Sequence, residues 1–422
     1  MIMFGLLDCN NFYASCETVF NPNLRGRAVV VLSNNDGCVI ARSYAAKEMG
    51  IKMGVPAFQI KDLIDSGRVV VRSSNYTLYG DMSRRVMQIL SQMVDDIEIY
   101  SIDEAFFVIP DGIDYVDMGR RIVDAIVMAT GIPVSVGIAA TKTLAKMANH
   151  AAKKYSGFRH VCVIDNDARR VAALKLTPID DVWGIGRRYA SRLQSRDVIS
   201  AFDFTQLPRD LVRRIMTVGG EKTWCELKGI SCIDLEQVAP DKQQICTSRS
   251  FGVMLETLDE LNGPIATFAA RCGAKLRRDK LVAGTVMPFL YTNRFRPDLP
   301  QCALHHVVAL PHATNDTRVI VSAALDGLKV IYRPGFLYKK AGVIMGDIYP
   351  ASRRPIDLFS ETMDPSTDCF MSAIDSINQR FGPGTVKSAA ELINQKWRPM
   401  AHSRSPNYTT DINDIIDIWC RD

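Results

Sequence analysis

The stretch Glu98-Ile99-Tyr100-Ser101-Ile102-Asp103-Glu104-Ala105-Phe106-Phe107-Val108 decides how this chain is read. Its β-branched and aromatic residues predict one buried β-strand with two adjacent carboxylates in its middle. A carboxylate buried without a partner costs several kcal/mol or takes up a proton. The pair is therefore either a strand end that meets water or a ligand set for something strongly cationic. A regular strand turns successive side chains to opposite faces. Asp103 and Glu104 can share a site only if the strand twists or ends there, or if Glu104 reaches round.

Upstream, Phe4-Gly5-Leu6-Leu7-Asp8-Cys9-Asn10 reads as an apolar strand that leaves the core at Asp8, and residues 11–17 read as a turn into a helix carrying Tyr13. Alone, Asp8 is equally a helix cap or an exposed strand end, and Tyr13 a core aromatic. Residues 28–32 form a strand, and Asn34-Asn35-Asp36-Gly37 a turn whose Asp-Gly pair suits positive φ. Residues 38–41 return as its partner. Ser43 N-caps a short helix over residues 44–49, which Gly50 stops. On that helix Tyr44 and Lys47 share a face. Such a pair suits a phosphate chain near a helix N-terminus, and equally a solvated surface. Residues 76–93 and 116–129 read as helices and 133–138 as a strand. Thr141 then starts a helix with the apolar stripe Leu144, Met147, Ala148 and Ala151. Its polar positions carry Lys142, Lys146, His150, Lys153 and Lys154, the last two favoured by the helix macrodipole. Residues 1–165 thus predict an α+β sheet backed by two helices, close to the split-βαβ arrangement.

Beyond this point the pattern changes. Two helical patterns meet at Gly184-Ile185-Gly186. In a helix-hairpin-helix such a loop turns backbone N–H groups towards a DNA phosphate, and Arg187, Arg188, Arg192 and Arg196 stand just behind it. Any tight turn between helices uses the same glycines. A strand at 247–252, a helix at 264–278 ending in basic residues, and strands around 285–291, 302–310 and 342–348 predict a second α+β domain. After about residue 350 the chain is punctuated by proline and serine, with an apolar island at Pro355-Ile356-Asp357-Leu358-Phe359.

Four hundred and twenty-two residues are too many for one core and predict several domains. With 47% hydrophobic and 23% charged residues, the composition is that of an ordinary globular protein. A net charge of +5 permits a nucleic-acid partner without demonstrating one. The amino terminus carries no secretory pattern, and no apolar run approaches the roughly 20 residues a membrane span needs, so a cytoplasmic protein is expected. The 11 cysteines lack a CxxC pair and read as reduced thiols, and the 6 histidines make no zinc set.

If Asp8 and the Asp103–Glu104 pair converge across neighbouring strands, three carboxylates form a ligand set for two divalent cations in phosphoryl transfer, and Mg²⁺ suits such oxygen donors. The motifs Asp8-Cys9-Asn10-Asn11-Phe12-Tyr13, Ser43-Tyr44-Ala45-Ala46-Lys47, Ser101-Ile102-Asp103-Glu104 and residues 136–146 stand in the order and spacing of Y-family, translesion DNA polymerases, which this chain resembles. Residues 33–42, 73–76, 149–154 and 181–188 narrow the resemblance to the branch expected to need a UmuD-like subunit and a RecA filament.

The resemblance implies an α+β multidomain fold. It consists of a catalytic palm with a ferredoxin-like sheet (residues 1–25 and 76–165), small fingers (26–75), a helix-hairpin-helix thumb (166–240), a DNA-binding α+β little finger (245–350) and a C-terminal tail (351–422). It implies error-prone addition of dNTPs to a primer 3′ end opposite damaged template, as part of the SOS response. Asp8, Asp103 and Glu104, with the Cys9 backbone carbonyl, would hold two Mg²⁺ ions. Tyr44, Lys47 and Lys153 would bind the triphosphate, and Tyr13 would be the steric gate that excludes a ribose 2′-hydroxyl. Gly184, Gly186, Arg187 and Arg188 would meet DNA phosphates. Asn10 stands where many relatives carry a second aspartate, and Lys47 where several carry arginine, a change to lysine that keeps the charge but loses the bidentate fork. Leu358 and Phe359 lie where family tails carry a sliding-clamp peptide, here led by proline instead of glutamine. A palm-type nucleotidyl cyclase would explain the acids but not the gate, the hairpin or a second basic domain. A non-catalytic DNA-binding protein on the same scaffold predicts the loss of an acid or phosphate ligand, and none is lost.

Overall fold

The computed structural model describes residues 2–236, 241–354, 365–392, 397 and 400–416. The chain forms two compact units, one of residues up to 239 together with 402 onward, the other of residues 240–401.

The first unit begins with β1 (Met3–Cys9) and α1 (Phe12–Phe20). Strands β2 (Ala28–Leu32) and β3 (Val39–Arg42), helices α2 (Tyr44–Glu48) and α3 (Lys61–Asp65) and strand β4 (Val69–Ser73) follow. They make a three-stranded sheet of order β3-β2-β4, whose central strand is apolar and buried throughout. Its turn differs from expectation. Positive φ falls on Asn35 (62°) and Asp36 (49°), while Gly37 stays at −79°. Asparagine and aspartate tolerate the left-handed region well enough to spare the glycine.

Helix α4 (Tyr76–Ser91) leads into β5 (Ile97–Ile99) and β6 (Glu104–Ile109), and then α5 (Tyr115–Thr130), β7 (Val134–Ala139), α6 (Lys142–Lys154) and β8 (Val161–Ile164). The resulting sheet has the order β5-β6-β1-β7-β8, antiparallel except for β7 with β8. Strand alternation sorts β1 between two cores. Met3, Leu7 and Cys9 join the apolar cluster of α4 and α5, whereas Phe4 and Leu6 join that of α6. Helix α6 comes down onto the sheet at Gly137, where any Cβ would lie 2.2 Å from the Asn149 nitrogen and 2.3 Å from the Ala145 oxygen. The buried Asn149 amide fastens this contact, donating to the carbonyls of Leu6 (3.2 Å) and Ser135 (2.7 Å).

The stretch from 98 to 108 is a hairpin, not one strand. Strand β5 ends at Ile99 and β6 begins at Glu104. Between them the Ser101 hydroxyl accepts from the backbone N–H of Asp103 (3.3 Å) and Glu104 (3.1 Å) and donates to Asp103 Oδ1 (2.7 Å). A serine offering its own hydrogen bonds competes with the sheet ladder, which hydrophobic periodicity does not register.

Helices α7 (Asp167–Leu176), α8 (Arg187–Gln194), α9 (Ala201–Gln206) and α10 (Arg209–Leu227) complete this part of the unit. Before the Gly184–Gly186 turn there is only a short 3-10 turn, Ile179–Asp181, where a helical pattern was expected. Its length follows from Pro178, whose predecessor is barred from helical geometry, and from the left-handed Gly184 (φ 90°).

The second unit contains β9 (Ile245–Leu255), α11 (Leu258–Arg278), β10 (Leu281–Thr292), β11 (Ala303–His305), β12 (Val308–Thr314), α12 (Thr317–Ile331), β13 (Tyr338–Pro350) and α13 (Pro365–Phe381). Its sheet runs β11-β10-β13-β9, with β12 also paired to β10. Helix α11 starts six residues before Pro264, the start read from the sequence, because Thr257 and Glu260 form a capping box there. The expected strand at 302–310 is two strands, β11 and β12. Residues 355–359, with Leu358 and Phe359, lie outside the described residues. Among the described residues, every cysteine is a free thiol and no helix is long and apolar enough to cross a membrane.

Candidate active site

Asp8 and Glu104 are register partners on β1 and β6. Cross-strand partners project to the same face of a sheet, here the face covered by α6. Lys153 of α6 makes an ion pair with Asp8, and Lys146 donates to both Glu104 oxygens at 2.9 and 3.0 Å. The Lys146 ammonium also lies 4.6 Å from the Tyr100 ring centroid and 5.3 Å from that of Trp183. Aromatic faces stabilise a cation held this way. The four charges line a cavity of 260 Å³ that His150 and Trp183 also border. Burial pushes the Asp8 carboxyl up to about 7, against the pull of Lys153. This is a carboxylate short of positive charge.

Asp103 sits one residue outside β6, in the serine turn. Its backbone oxygen accepts from Cys9 N–H at 2.9 Å. Its charge raises Asp8 as well as Cys9, Cys16 and Tyr13, the last three of which line the α4–α5 side of the sheet. Glu104 thus faces the lysines, while Asp103 lies in the turn just before it, its carboxylate accepting from Ser101. Among the described residues no group of three or more His, Cys, Asp or Glu side chains is arranged to hold a metal ion. The Cys9 thiol is buried and pushed well above its usual range, chiefly by desolvation, so it is not a thiolate donor.

Tyr13 is half-buried. Its ring stacks on Tyr79 at 4.4 Å and meets Tyr76 edge-on at 6.0 Å. Desolvation, then Tyr76 and Asp103, push its hydroxyl up to about 12, so the phenol is neutral near pH 7. Tyr44 opens α2, which Ser43 caps by accepting from Ala46 N–H at 3.3 Å. Lys47 Nζ is 5.3 Å from the Tyr44 ring. Burial, then the cations of Arg42 and Lys153, hold the Lys47 ammonium below its usual range, while Asp8 pulls it up. Tyr44 is raised by burial and by Asp8. Both therefore belong to the electrostatic neighbourhood of Asp8.

Two sequence readings change. Lys153 is more than a macrodipole lysine, since it neutralises Asp8. Lys142, placed among the polar positions of α6, is fully buried. It pairs with Glu98 and donates to the Asp234 carbonyl at 2.7 Å. Lys146, read only as a polar position of α6, is the Glu104 partner, and its i, i+7 spacing from Lys153 puts both on one face. Asn10 is buried and donates to Ser135 Oγ at 3.0 Å, Ser135 being the register partner of Asp8 on β7. At the hairpin, Arg187 and Arg188 are exposed, but Arg192 donates to the Ile215 carbonyl (3.2 Å) and Arg196 to the Arg192 carbonyl (2.9 Å), so both brace the fold.

A Y-family DNA polymerase chimera of Dbh and Dpo4 superposes on 82% of this chain and 99% of its own with a TM-score of 0.63 at 20% identity. A Dbh ternary complex superposes with the same coverage at 0.55. The fold is thus that of a Y-family DNA polymerase. The sequence comparison is more specific. Protein UmuC of Salmonella typhimurium is 41% identical over 99% of this chain and all of that protein. Protein MucB of Escherichia coli is 37% identical over 98% and 99%, respectively, and DNA polymerase IV of Corynebacterium diphtheriae 29% over 76% and 69%. The impB/mucB/samB family model matches residues 7–150, the family's C-terminal domain matches 242–358, and a domain of unknown function, DUF4113, matches 368–418. The chain belongs to the impB/mucB/samB family, as a UmuC-like Y-family polymerase.

Proposed function

We propose that this chain is a DNA-directed DNA polymerase of translesion synthesis in the SOS response, and that it adds dNTPs to a primer 3′ end at the Asp8–Glu104 end of the central sheet. The supporting observation is the pairing of Asp8 and Glu104 beneath Lys153 and Lys146, with Asp103 in the adjoining turn. Carboxylates and a backbone carbonyl are the donors Mg²⁺ prefers, and the desolvated Asp8 would gain from a cation beside it. Asp8, Asp103 and Glu104, with the Cys9 carbonyl, would hold two such ions. Bound there, they would supply Lewis acidity to the primer hydroxyl and the α-phosphate.

The rest is work for this chain's own groups. Lys153, Lys47 and Tyr44 would take the triphosphate oxygens, Lys153 leaving Asp8 to do so. Tyr13, backed by two rings, would fill the space a 2′-hydroxyl needs. The Gly184–Gly186 turn, with Arg187 and Arg188 exposed at the start of α8, would meet DNA phosphates. In this reading residues 1–25 and 76–165 are the palm, 26–75 the fingers, 166–240 the thumb and 245–350 the little finger. A UmuD-like subunit, a RecA filament and, through Leu358 and Phe359, a sliding clamp are the partners, in the cytoplasm. Primer extension tests the site. Asp103→Ala should lower Mg²⁺-dependent extension at least about 10³-fold while primer-template binding survives. Extension at the wild-type rate would refute the assignment.

A further inference from the structure

The segment from His402 to Tyr408 returns to the first unit and lies against the structures behind Tyr13. It enters beside the end of β4. Ser403 N–H donates to Ser73 Oγ at 3.0 Å, and Ser73 N–H donates to the Ser403 carbonyl at 3.1 Å. Asn75 then grips it. Its side-chain oxygen caps α4 by accepting from Leu78 N–H (3.3 Å), and its NH₂ donates to the carbonyls of Ser405 (3.0 Å) and Pro406 (3.1 Å). Ser405 reaches deepest. Its hydroxyl donates to Glu17 Oε1 at 2.9 Å, the same oxygen that accepts from Tyr79 OH at 2.7 Å. Finally, the Tyr408 ring stacks on Phe20 at 5.0 Å.

These contacts converge on two helices. Phe20, Glu17 and Tyr13 all belong to α1, while Asn75 caps α4 and Tyr79 lies on it. Tyr79 is fully buried and stacks flat on Tyr13. Glu17 is a buried carboxylate raised by desolvation and restrained by the Tyr79 and Ser405 hydroxyls and by Arg72. Leaving such a group one bond short is costly, so Glu17 and the ring it orients are sensitive to the loss of Ser405.

We propose that residues 402–408 form a strap that locks α1 to α4 and that Ser405, through Glu17 and Tyr79, is a positioning residue for Tyr13, setting how strictly a 2′-hydroxyl is refused. This rests on the reading of Tyr13 as the sugar gate. It gives a role to part of the region matched by a domain of unknown function.

The test is single-nucleotide extension with the full-length protein, measuring kcat/KM for a matched dNTP over that for the corresponding rNTP. Ser405→Ala should lower this ratio about 3- to 10-fold through the rNTP, with the dNTP kcat within about twofold of wild type. Ser405→Thr, which keeps the hydroxyl, should restore it. Tyr79→Phe cuts the same link from the other side with the ring kept and should relax the ratio in the same direction. It decides the matter if Ser405→Ala loses its cooperative melting transition. A wild-type ratio in a folded Ser405→Ala protein overturns the strap. So does a wild-type ratio in Tyr79→Phe. Tyr13→Ala is the separate control. If it leaves the ratio unchanged, the gate reading fails; if it collapses the ratio while Ser405→Ala does not, only the strap fails.

Discussion

Helix α6 carries two kinds of lysine–carboxylate pair on the same sheet, and they differ mainly in their access to water. Lys142 and Glu98 are enclosed, with side-chain exposures of 2% and 10%. Both have further partners, the Asp234 carbonyl for the lysine and Glu236 N–H (2.7 Å) for the glutamate. Lys153 and Asp8, at 31% and 13%, open onto the cavity. A pair sealed in low dielectric with its remaining hydrogen bonds satisfied cannot exchange partners without a large desolvation penalty. A pair at a cavity wall can, because water and ligand replace what is lost. The first is built to hold the fold, and the second to accept a substrate.

Removing one partner from the sealed pair should have the largest effect on stability. Lys142→Ala leaves Glu98 buried and uncompensated, and denaturant unfolding should show a loss of about 3–5 kcal/mol. A loss under about 1 kcal/mol would erase the distinction between the pairs. The open pair should behave differently. Lys153→Ala should cost less than about 1 kcal/mol of stability and raise the KM for dNTP about tenfold, as steady-state primer extension would show. An unchanged KM would mean that Lys153 does not exchange Asp8 for phosphate. The smallest effect should sharpen the comparison furthest. Replacing the sealed pair by hydrocarbon, Lys142→Met with Glu98→Leu, should recover most of the lost stability and leave a deficit of about 1 kcal/mol, because Glu236 N–H still lacks its acceptor. Failure to recover would point to the hydrogen bonds rather than the charges.

The same contrast explains how much could be read from the residues alone. Short-range chemistry was legible. The serine and threonine caps of α2 and α6, the apolar run of β1 and the apolar stripe of α6 all depend on neighbours a few positions away. So was the order of Asp8, Tyr13, Tyr44, Lys47 and Asp103–Glu104 along the chain. Periodicity failed at residues 98–108, because Ser101 turns the chain with a side-chain hydrogen bond that leaves the apolar pattern intact. It failed again at Lys142, because a lysine is polar in any pattern and only a carboxylate 44 residues away tells that it is buried.

Local sequence, then, specified which segments become helices and strands and which residue types stand ready for phosphoryl transfer. Long-range packing specified who meets whom. Asp8 faces Glu104 through strand register, Lys146 and Lys153 reach them because Gly137 admits α6 to the sheet, and Asp103 sits in the Ser101 turn because the strand begins one residue later. Ser405 finds Glu17 across 388 positions of chain. Capping and periodicity act over a turn or a few residues, whereas charge pairing and buried hydrogen bonds are settled by proximity in space, to which separation along the chain is no guide.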